Sequence, residues 1–285
     1  MIAQAAGPAV NRALAALPSA ILPGGPSRLR ILAYHGVHDP VSFSTHLQLI
    51  LDRFRPVGLD QVLRWRDGGG LPTRAVWVTF DDGRPDVVDH AMPLLVRHGI
   101  PATMFVCPGV IDTRVPFWWD GLDASLGTAL KRWPDEERRR FVAEQTRPVV
   151  EQLTSERLKS WVNAGLTVGN HTWDHPCLET CSAAEQRRQV RLAHDWLHDH
   201  VGEGATTAFA YPNGNTTAVA MDELALLGYR VGVLFDHDLA TLRQDNLALS
   251  RLRIDSDASG HRAGAILSGL HSSALRMKRR LRAQR

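Results

Sequence analysis

Residues 76–83 constrain the fold of this chain more than any other stretch. Their sequence, Val-Trp-Val-Thr-Phe-Asp-Asp-Gly, is apolar and rich in β-branched residues until it reaches two carboxylates and a glycine. Such a run is typical of a buried β-strand. Because the chain turns where the strand ends, Asp81 and Asp82 can both face one cleft. Two carboxylates this close repel each other unless a cation or hydrogen bonds compensate them. The pair therefore indicates a metal-and-base site or, alternatively, a solvated turn.

A second polar segment follows a later apolar run at residues 166–168. It carries His171 and His175, whose spacing of four would place both imidazoles on one face if the segment forms a helical turn. Two imidazoles and one carboxylate can bind zinc and leave a position open for water. Cys177 and Cys181 lie close by and are an alternative pair of ligands. Because two imidazoles and one carboxylate of the Asp81–Asp82 pair already make a complete set, we predict that His171, His175 and one of these aspartates bind Zn²⁺ or another divalent ion.

Three motifs carry a resemblance to a known family. They are Thr-Phe-Asp-Asp-Gly at 79–83, His-Thr-x-x-His-Pro at 171–176 and Phe-Ala-Tyr-Pro-Asn-Gly at 209–214. In order and spacing they resemble the first three motifs of the NodB-type polysaccharide deacetylases, carbohydrate esterase family 4. Tyr-His-Gly-Val at 34–37 resembles the opening strand of the branch that contains the poly-N-acetylglucosamine deacetylases of biofilm systems. The resemblance spans about residues 30–255. It implies an α/β fold, the distorted (β/α) barrel of the NodB-homology type.

The resemblance also implies roles for individual residues. Asp82, His171 and His175 would hold the metal, and Asp81 would accept a proton from water. The backbone N–H of Asn213 matches the family position that helps to bind the oxyanion. The implied substrate and partner is an N-acetylated glycan, and the implied reaction is hydrolysis of its N-acetyl amide.

The chain departs from the family pattern in two places. Many members have an arginine near the third motif that orients the base, but Ala210 stands there. Arg251, from the last predicted strand, is the candidate substitute, or alternatively a structural ion-pairing residue. The general acid usually comes from a late Leu-x-His motif, which His271 lacks because Gly269 stands where the leucine should be. In the biofilm branch the acid comes from the first strand, which favours His35.

Alternating strand and helix patterns predict a parallel β/α architecture. We divide the chain into an N-terminal leader (1–28), a catalytic domain (29–258) with a helical insertion at about 110–165, and a basic C-terminal tail (259–285). Within the insertion, the adjacent Trp118 and Trp119 fit core packing, or one of them lines a sugar-binding groove. The charge-dense segment 131–140 predicts a helix that presents a solvated face. His46, on a helix predicted at 43–53, is expected at the surface.

Composition and charge narrow the partners and the location. A net charge of +3 demands no nucleic-acid partner. No run of eighteen apolar residues occurs, so we expect no integral membrane segment, although the termini could touch a membrane surface weakly. No cluster of Lys or Arg precedes the apolar N-terminal part, so we predict a cytoplasmic location, with membrane association or export as alternatives.

Three functions fit the sequence. The first is a metal-dependent hydrolase that removes N-acetyl groups from N-acetylhexosamine units of a polysaccharide or its precursor. The second is a hydrolase of another small amide, since related barrels accept other substrates. The third is a non-catalytic carbohydrate-binding protein. Because a binding protein needs no unligated base, Asp81 argues against the third.

Overall fold

The computed structural model of the chain describes residues 7–16 and 27–270. The strands are β1 (Arg28–Tyr34), β2 (Arg55–Pro56), β3 (Ala75–Phe80), β4 (Ala102–Val106), β5 (Thr167–Asn170), β6 (Ala208–Ala210), β7 (Val231–Val233), β8 (Ala240–Thr241) and β9 (Leu252–Arg253). The helices are α1 (Pro8–Ala15), α2 (Pro40–Arg53), α3 (Leu59–Arg66), α4 (Met92–His98), α5 (Ala124–Leu130), α6 (Asp135–Ala143), α7 (Ser155–Asn163), α8 (Ala183–His200), α9 (Ala218–Leu226) and α10 (Gly260–Leu267).

The strands form a curled, largely parallel sheet. Its order is β7-β6-β5-β4-β3-β1-β8, in which β8 runs antiparallel to β1, while β2 and β9 pair in parallel with β3 and β1. Leu249 makes a parallel bridge to Val233 of β7, and Leu252 pairs with Leu32 of β1. Residues 249–253 therefore reach both β7 and β1, so the sheet curls into a distorted barrel. The predicted distorted α/β barrel is confirmed.

The register of the parallel strands places the predicted site residues at one edge. Every residue of β3 is buried, as the apolar run predicts for a strand covered on both faces. Tyr34 is paired with Phe80, so His35 and Asp81 each follow directly after a matched strand end. Val106 is likewise paired with Asn170, the residue before His171. The carboxyl ends of these strands share an edge, which is where β/α barrels carry their active sites.

One sequence expectation about a polar residue is wrong, and another holds for most but not all of its residues. His46 is completely buried. Its Nε2 donates a hydrogen bond to the carbonyl of Ala258 at 2.6 Å, and its Nδ1 lies 3.3 Å from the Tyr34 hydroxyl. In the charge-dense segment, α6 is not solvated on every face. Asp135 and Arg138 form a buried ion pair there.

The predicted division into leader, catalytic domain and tail stays a prediction. The structure shows that α1 and α10, which that division assigns to leader and tail, pack against each other: a Cβ atom at Gly264 would lie 2.9 Å from the Cβ of Ala15. Helix α10 also contacts α2. Residues 110–165 contain α5, α6 and α7. Across residues 7–16 and 27–270, no helix combines the length and apolar character needed to cross a membrane.

Candidate active site

Asp82, His171 and His175 converge at the carboxyl ends of β3 and β5. The Oδ1 atom of Asp82 lies 3.4 Å from Nε2 of His171 and 3.5 Å from Nε2 of His175. One ligand atom from each residue falls within 4.8 Å of the other two, and all three side chains are buried. The structure thus brings together the three residues predicted to bind a metal.

Their backbone differs from the helical turn expected from the histidine spacing. Residues 171–175 form no regular helix, and Thr172 and His175 have φ angles of 69° and 60°. Asp82 and Asn213 are also left-handed, at 71° and 58°. Residues other than glycine seldom adopt this conformation. It turns the chain sharply at the strand ends and directs these side chains towards one another.

The chemistry of the three side chains fits a divalent cation. Oδ1 of Asp82 and Nε2 of His171 are buried and have no hydrogen-bond partner in the described part of the chain. Nδ1 of His171 donates to the carbonyl of Ala210 at 2.7 Å, which leaves the Nε2 lone pair for a ligand. Two nitrogens and one carboxylate oxygen suit Zn²⁺.

The charges of these groups point the same way. Burial raises the pKa of Asp82, but the neighbouring histidines outweigh burial and hold that pKa below its ordinary value. Burial lowers the pKa of His171, whereas Asp81 and Asp82 raise it by more. Burial, followed by the charge of His171, lowers the pKa of His175 to about 3. These shifts keep Asp82 ionised and His175 neutral at neutral pH, the forms in which both side chains bind a metal.

Asp81 lies beside this group and is bound by Arg251. The guanidinium donates from Nη1 to Oδ1 at 2.7 Å and from Nη2 to Oδ2 at 2.6 Å, and Nη1 also donates to the Thr79 hydroxyl at 3.1 Å. Arg251 is completely buried. Burial raises the pKa of Asp81, but Arg251 together with His171 and His35 lowers it by more, so the carboxyl group is ionised at neutral pH. Arg251 thus binds the carboxylate of the predicted base, and its role in orienting that base stays a prediction.

His35 and Asn213 line the same cavity as Asp82 and His175. This cavity has a volume of about 970 Å³. The His35 ring packs against Phe235, with centroids 4.7 Å apart. Asn213 lies in the turn Pro212–Gly214, next to a glycine whose added Cβ would collide with the Phe235 backbone at 2.2 Å. The proposed roles of His35 and Asn213 stay predictions. The alternative acid, His271, lies outside the described residues.

The cysteines do not join the metal-binding group. Cys177 Sγ accepts a hydrogen bond from the Asn213 side chain at 3.2 Å, and Cys181 Sγ donates to the Cys177 carbonyl at 3.4 Å. All three cysteines are buried, and none of them forms a disulfide. Within the described ranges, neither Cys177 nor Cys181 belongs to the cluster formed by Asp82 and the two histidines.

Sequence reasoning missed that the aromatic segment of the insertion contacts His175. The Trp119 ring lies 4.4 Å from the His175 imidazole, and Trp118 donates from Nε1 to the His175 carbonyl at 3.1 Å. Trp119 also lines the cavity, whereas a role in sugar binding stays a prediction. The high aromatic density of residues 117–119 was the available signal, but it did not identify the partner.

Fold and site together define a class of protein. A distorted parallel barrel with a buried Asp-His-His group and a second carboxylate at its carboxyl edge is the arrangement expected of a NodB-type deacetylase. The family model described as polysaccharide deacetylase matches residues 68–232. That range contains the three predicted metal ligands, Asp81 and Asn213, but neither His35 nor Arg251.

Named relatives agree with this class. YxkH of Bacillus subtilis, whose name places it among the polysaccharide deacetylases, is 24% identical over 86% of this chain and 78% of its own length. The poly-β-1,6-N-acetyl-D-glucosamine N-deacetylase of Escherichia coli K12 is 27% identical, over 67% of this chain but 30% of its own length.

Solved structures agree on the fold. The Streptococcus pyogenes deacetylase PplD, solved with acetate, superimposes with a TM-score of 0.65 at 24% identity, covering 84% of this chain and 97% of that one. IcaB from Ammonifex degensii gives 0.64 at 20% identity, covering 85% and 97%. The chain belongs to the polysaccharide deacetylase family, as its motifs predicted, and within it resembles the poly-N-acetylglucosamine deacetylase branch.

Proposed function

We propose that this chain is a metal-dependent hydrolase that removes N-acetyl groups from N-acetylhexosamine units of a polysaccharide or its precursor. One observation carries the proposal. Asp81, a buried carboxylate kept ionised by Arg251, lies beside the Asp82, His171 and His175 group but is not part of it. A group that binds only a metal or a sugar has no need for this additional charged base.

Amide hydrolysis needs an activated water, a stabilised oxyanion and a proton for the departing amine. A divalent ion held by Asp82, His171 and His175 would polarise the acetyl carbonyl and make water a better nucleophile. Asp81 accepts the proton of the attacking water, while Arg251 fixes the orientation of its carboxylate.

The other two requirements fall to residues that line the cavity. The backbone N–H of Asn213 donates to the oxyanion as the carbonyl carbon becomes tetrahedral. His35 gives a proton to the nitrogen as the C–N bond breaks, so that acetate and a free amine leave. Both residues line the cavity that Asp82 and His175 also line.

The residues that line the cavity and the named relatives support a glycan substrate. Trp119 lines the cavity, and an aromatic ring there offers a flat apolar surface to a sugar. The relative from Escherichia coli is named for poly-β-1,6-N-acetyl-D-glucosamine, and the match reaches 67% of this chain. These observations favour N-acetylhexosamine over other small amides.

Acetate release from N-acetylglucosamine oligomers tests the proposal. We expect release by the wild-type chain, loss of release with a chelator, and recovery when Zn²⁺ is added back. Asp81→Asn should abolish most of the activity, whereas Asp195→Asn, the same change at an exposed position on α8, should not. Release by Asp81→Asn at the wild-type rate would reject the base assignment. Tight oligomer binding without acetate release would instead support the binding-protein alternative.

The cytoplasmic location and the weak contact of the termini with a membrane surface stay predictions. Residues 1–6, 17–26 and 271–285, on which much of that contact would depend, lie outside the described part of the chain.

A further inference from the structure

The two predicted histidine ligands are oriented in different ways. His171 donates from Nδ1 to the Ala210 carbonyl at 2.7 Å, the kind of hydrogen bond that ordinarily fixes a metal-binding imidazole. Nδ1 of His175 is also buried, but it has no such partner among the described residues. The His175 imidazole and backbone instead contact the aromatic segment of the insertion.

Three consecutive aromatic residues surround His175. We call Phe117, Trp118 and Trp119 the aromatic bracket. The Trp119 ring lies 4.4 Å from the imidazole at 66°, and the Phe117 ring lies 6.0 Å from it at 77°. Phe117 and Trp119 stack on each other at 4.8 Å. The ring of His175 is thus packed edge-to-face against a preassembled aromatic pair.

The bracket also holds the backbone of His175. Trp118 donates from Nε1 to the His175 carbonyl at 3.1 Å. His175 has a left-handed φ of 60°, a backbone conformation that residues other than glycine seldom adopt. By fixing the following peptide plane, the Trp118 hydrogen bond sets the direction in which the side chain leaves the backbone.

Charged side chains of the insertion contact the bracket and the residue that precedes His175. The Arg138 guanidinium, 1% exposed, lies 5.0 Å from the Trp118 ring centroid and is paired with Asp135. Arg139, next on α6, binds Asp174 through two hydrogen bonds of 2.9 Å each. The insertion therefore forms hydrogen bonds with Asp174 as well as with His175 itself.

We propose that the aromatic bracket positions His175 for metal binding, so that Trp118 and Trp119 set the metal affinity of the site without touching the ion. The inference rests on the proposed function, because it takes Asp82, His171 and His175 as the ligands. It assigns the helical insertion a task in the chemistry of the site in addition to any contact with a glycan.

The test compares single variants of the full chain. Trp118→Phe keeps an aromatic ring but removes the N–H donor, and Trp119→Leu removes the ring packed on the imidazole. Trp133→Phe is the matched control, because Trp133 lies on the same insertion, is 39% exposed and packs on Phe141 instead of His175. Zn²⁺ affinity is measured by competition with a chromogenic chelator, at a temperature where far-UV circular dichroism shows every variant folded.

We expect Trp118→Phe and Trp119→Leu to weaken Zn²⁺ binding by about tenfold or more, as loss of groups that orient ligands commonly does. The visible spectrum of the Co²⁺-loaded variants should change as well, since it reports the geometry of the ligands. Trp133→Phe should match the wild type in both. If Trp119→Leu does not fold, Trp118→Phe alone decides.

Two outcomes would overturn the inference. One is a Zn²⁺ dissociation constant for Trp118→Phe within twofold of the wild-type value, with an unchanged Co²⁺ spectrum, even if its melting temperature falls. The other is a wild-type chain that binds no Zn²⁺, which would overturn the proposed function too. A wild-type chain that binds Zn²⁺ but releases no acetate would reject the proposed function while the bracket variants still decide this inference.

Discussion

Arg251 binds both carboxylate oxygens of Asp81, at 2.7 and 2.6 Å, although the two residues are 170 positions apart in the sequence. The pair joins β3 to the segment that closes the barrel, and it is almost completely shielded from water. Removing one partner of a buried ion pair destabilises the folded state far more than removing one partner of an exposed pair. The same contact therefore bears on both the stability of the fold and the charge of the proposed base.

Arg251→Met should destabilise the chain by roughly 3–5 kcal/mol, because Asp81 would stay buried without a compensating charge. Burial would then dominate and raise the pKa of Asp81, so acetate release at neutral pH should fall at least tenfold. Urea unfolding and acetate release measure the two effects. Arg230→Met, which breaks the exposed pair with Asp67, is the control and should cost no more than about 1 kcal/mol. Equal losses in the two variants would contradict the argument.

Zn²⁺ should stabilise the wild-type chain and not Asp82→Ala. A ligand that binds the folded state alone adds about 2.7 kcal/mol at one hundred times its dissociation constant. The melting temperature should therefore rise with Zn²⁺ in the wild type and in Asp60→Ala, a change at an exposed site on α3. An equal rise in Asp82→Ala would mean that Zn²⁺ binds elsewhere.

His35→Gln should lower kcat by about a hundredfold or more while changing KM little, because a general acid acts in the transition state. His271→Gln is the matched change at the other candidate and should leave kcat near the wild-type value. Steady-state acetate release with both variants decides between them. A large loss in His271→Gln alone would assign the acid to the late histidine.

His46 should make the folded state less stable as the pH falls. Burial lowers the pKa of His46 below its ordinary value of 6.5, and this outweighs the hydrogen bond to Ala258, which raises it. The unfolded chain therefore takes up the proton first, so stability is full above pH 6.5 and declines as the pH drops from there towards the folded-state pKa.

His46→Gln should flatten that decline, because glutamine does not titrate. The free energy of unfolding at pH 7.5, 6.5 and 5.5, measured in urea, tests this against His198→Gln, a change at an exposed histidine on α8. If the wild type and His46→Gln lose stability in parallel between pH 7.5 and 5.5, another group is responsible.

The convergence of Asp82 with His171 and His175 could be predicted because it depends on local rules. Each motif follows an apolar run that forms a buried strand, and parallel strands present their carboxyl ends at one edge. The barrel followed from the same alternation of strands and helices. No helical turn was needed to bring His171 and His175 together, since the left-handed residues Thr172 and His175 do so in an irregular segment.

Three other features were not predicted correctly or fully from local sequence patterns. Arg251 was the candidate for the base-orienting arginine, with a structural ion pair as the alternative, because its pairing with Asp81 depends on how the barrel closes. His46 was recoverable: it lies three residues after Phe43 and four before Ile50, on the buried face of α2. Its polar side chain was mistaken for a sign of exposure. The contact between Trp118 and His175 joins two loops with no shared pattern, so sequence spacing could not reveal it.

The left-handed backbone at Asp82 and His175 has a consequence for engineering this protein. Glycine adopts that conformation without a steric penalty, so replacing either residue with glycine would relieve local strain in the metal-free chain while removing a side chain from the proposed metal site. Heat resistance measured without metal and turnover therefore oppose each other at these two positions. A library sorted by thermal tolerance in the presence of a chelator would enrich for inactive molecules, so selection must score acetate release at the same time.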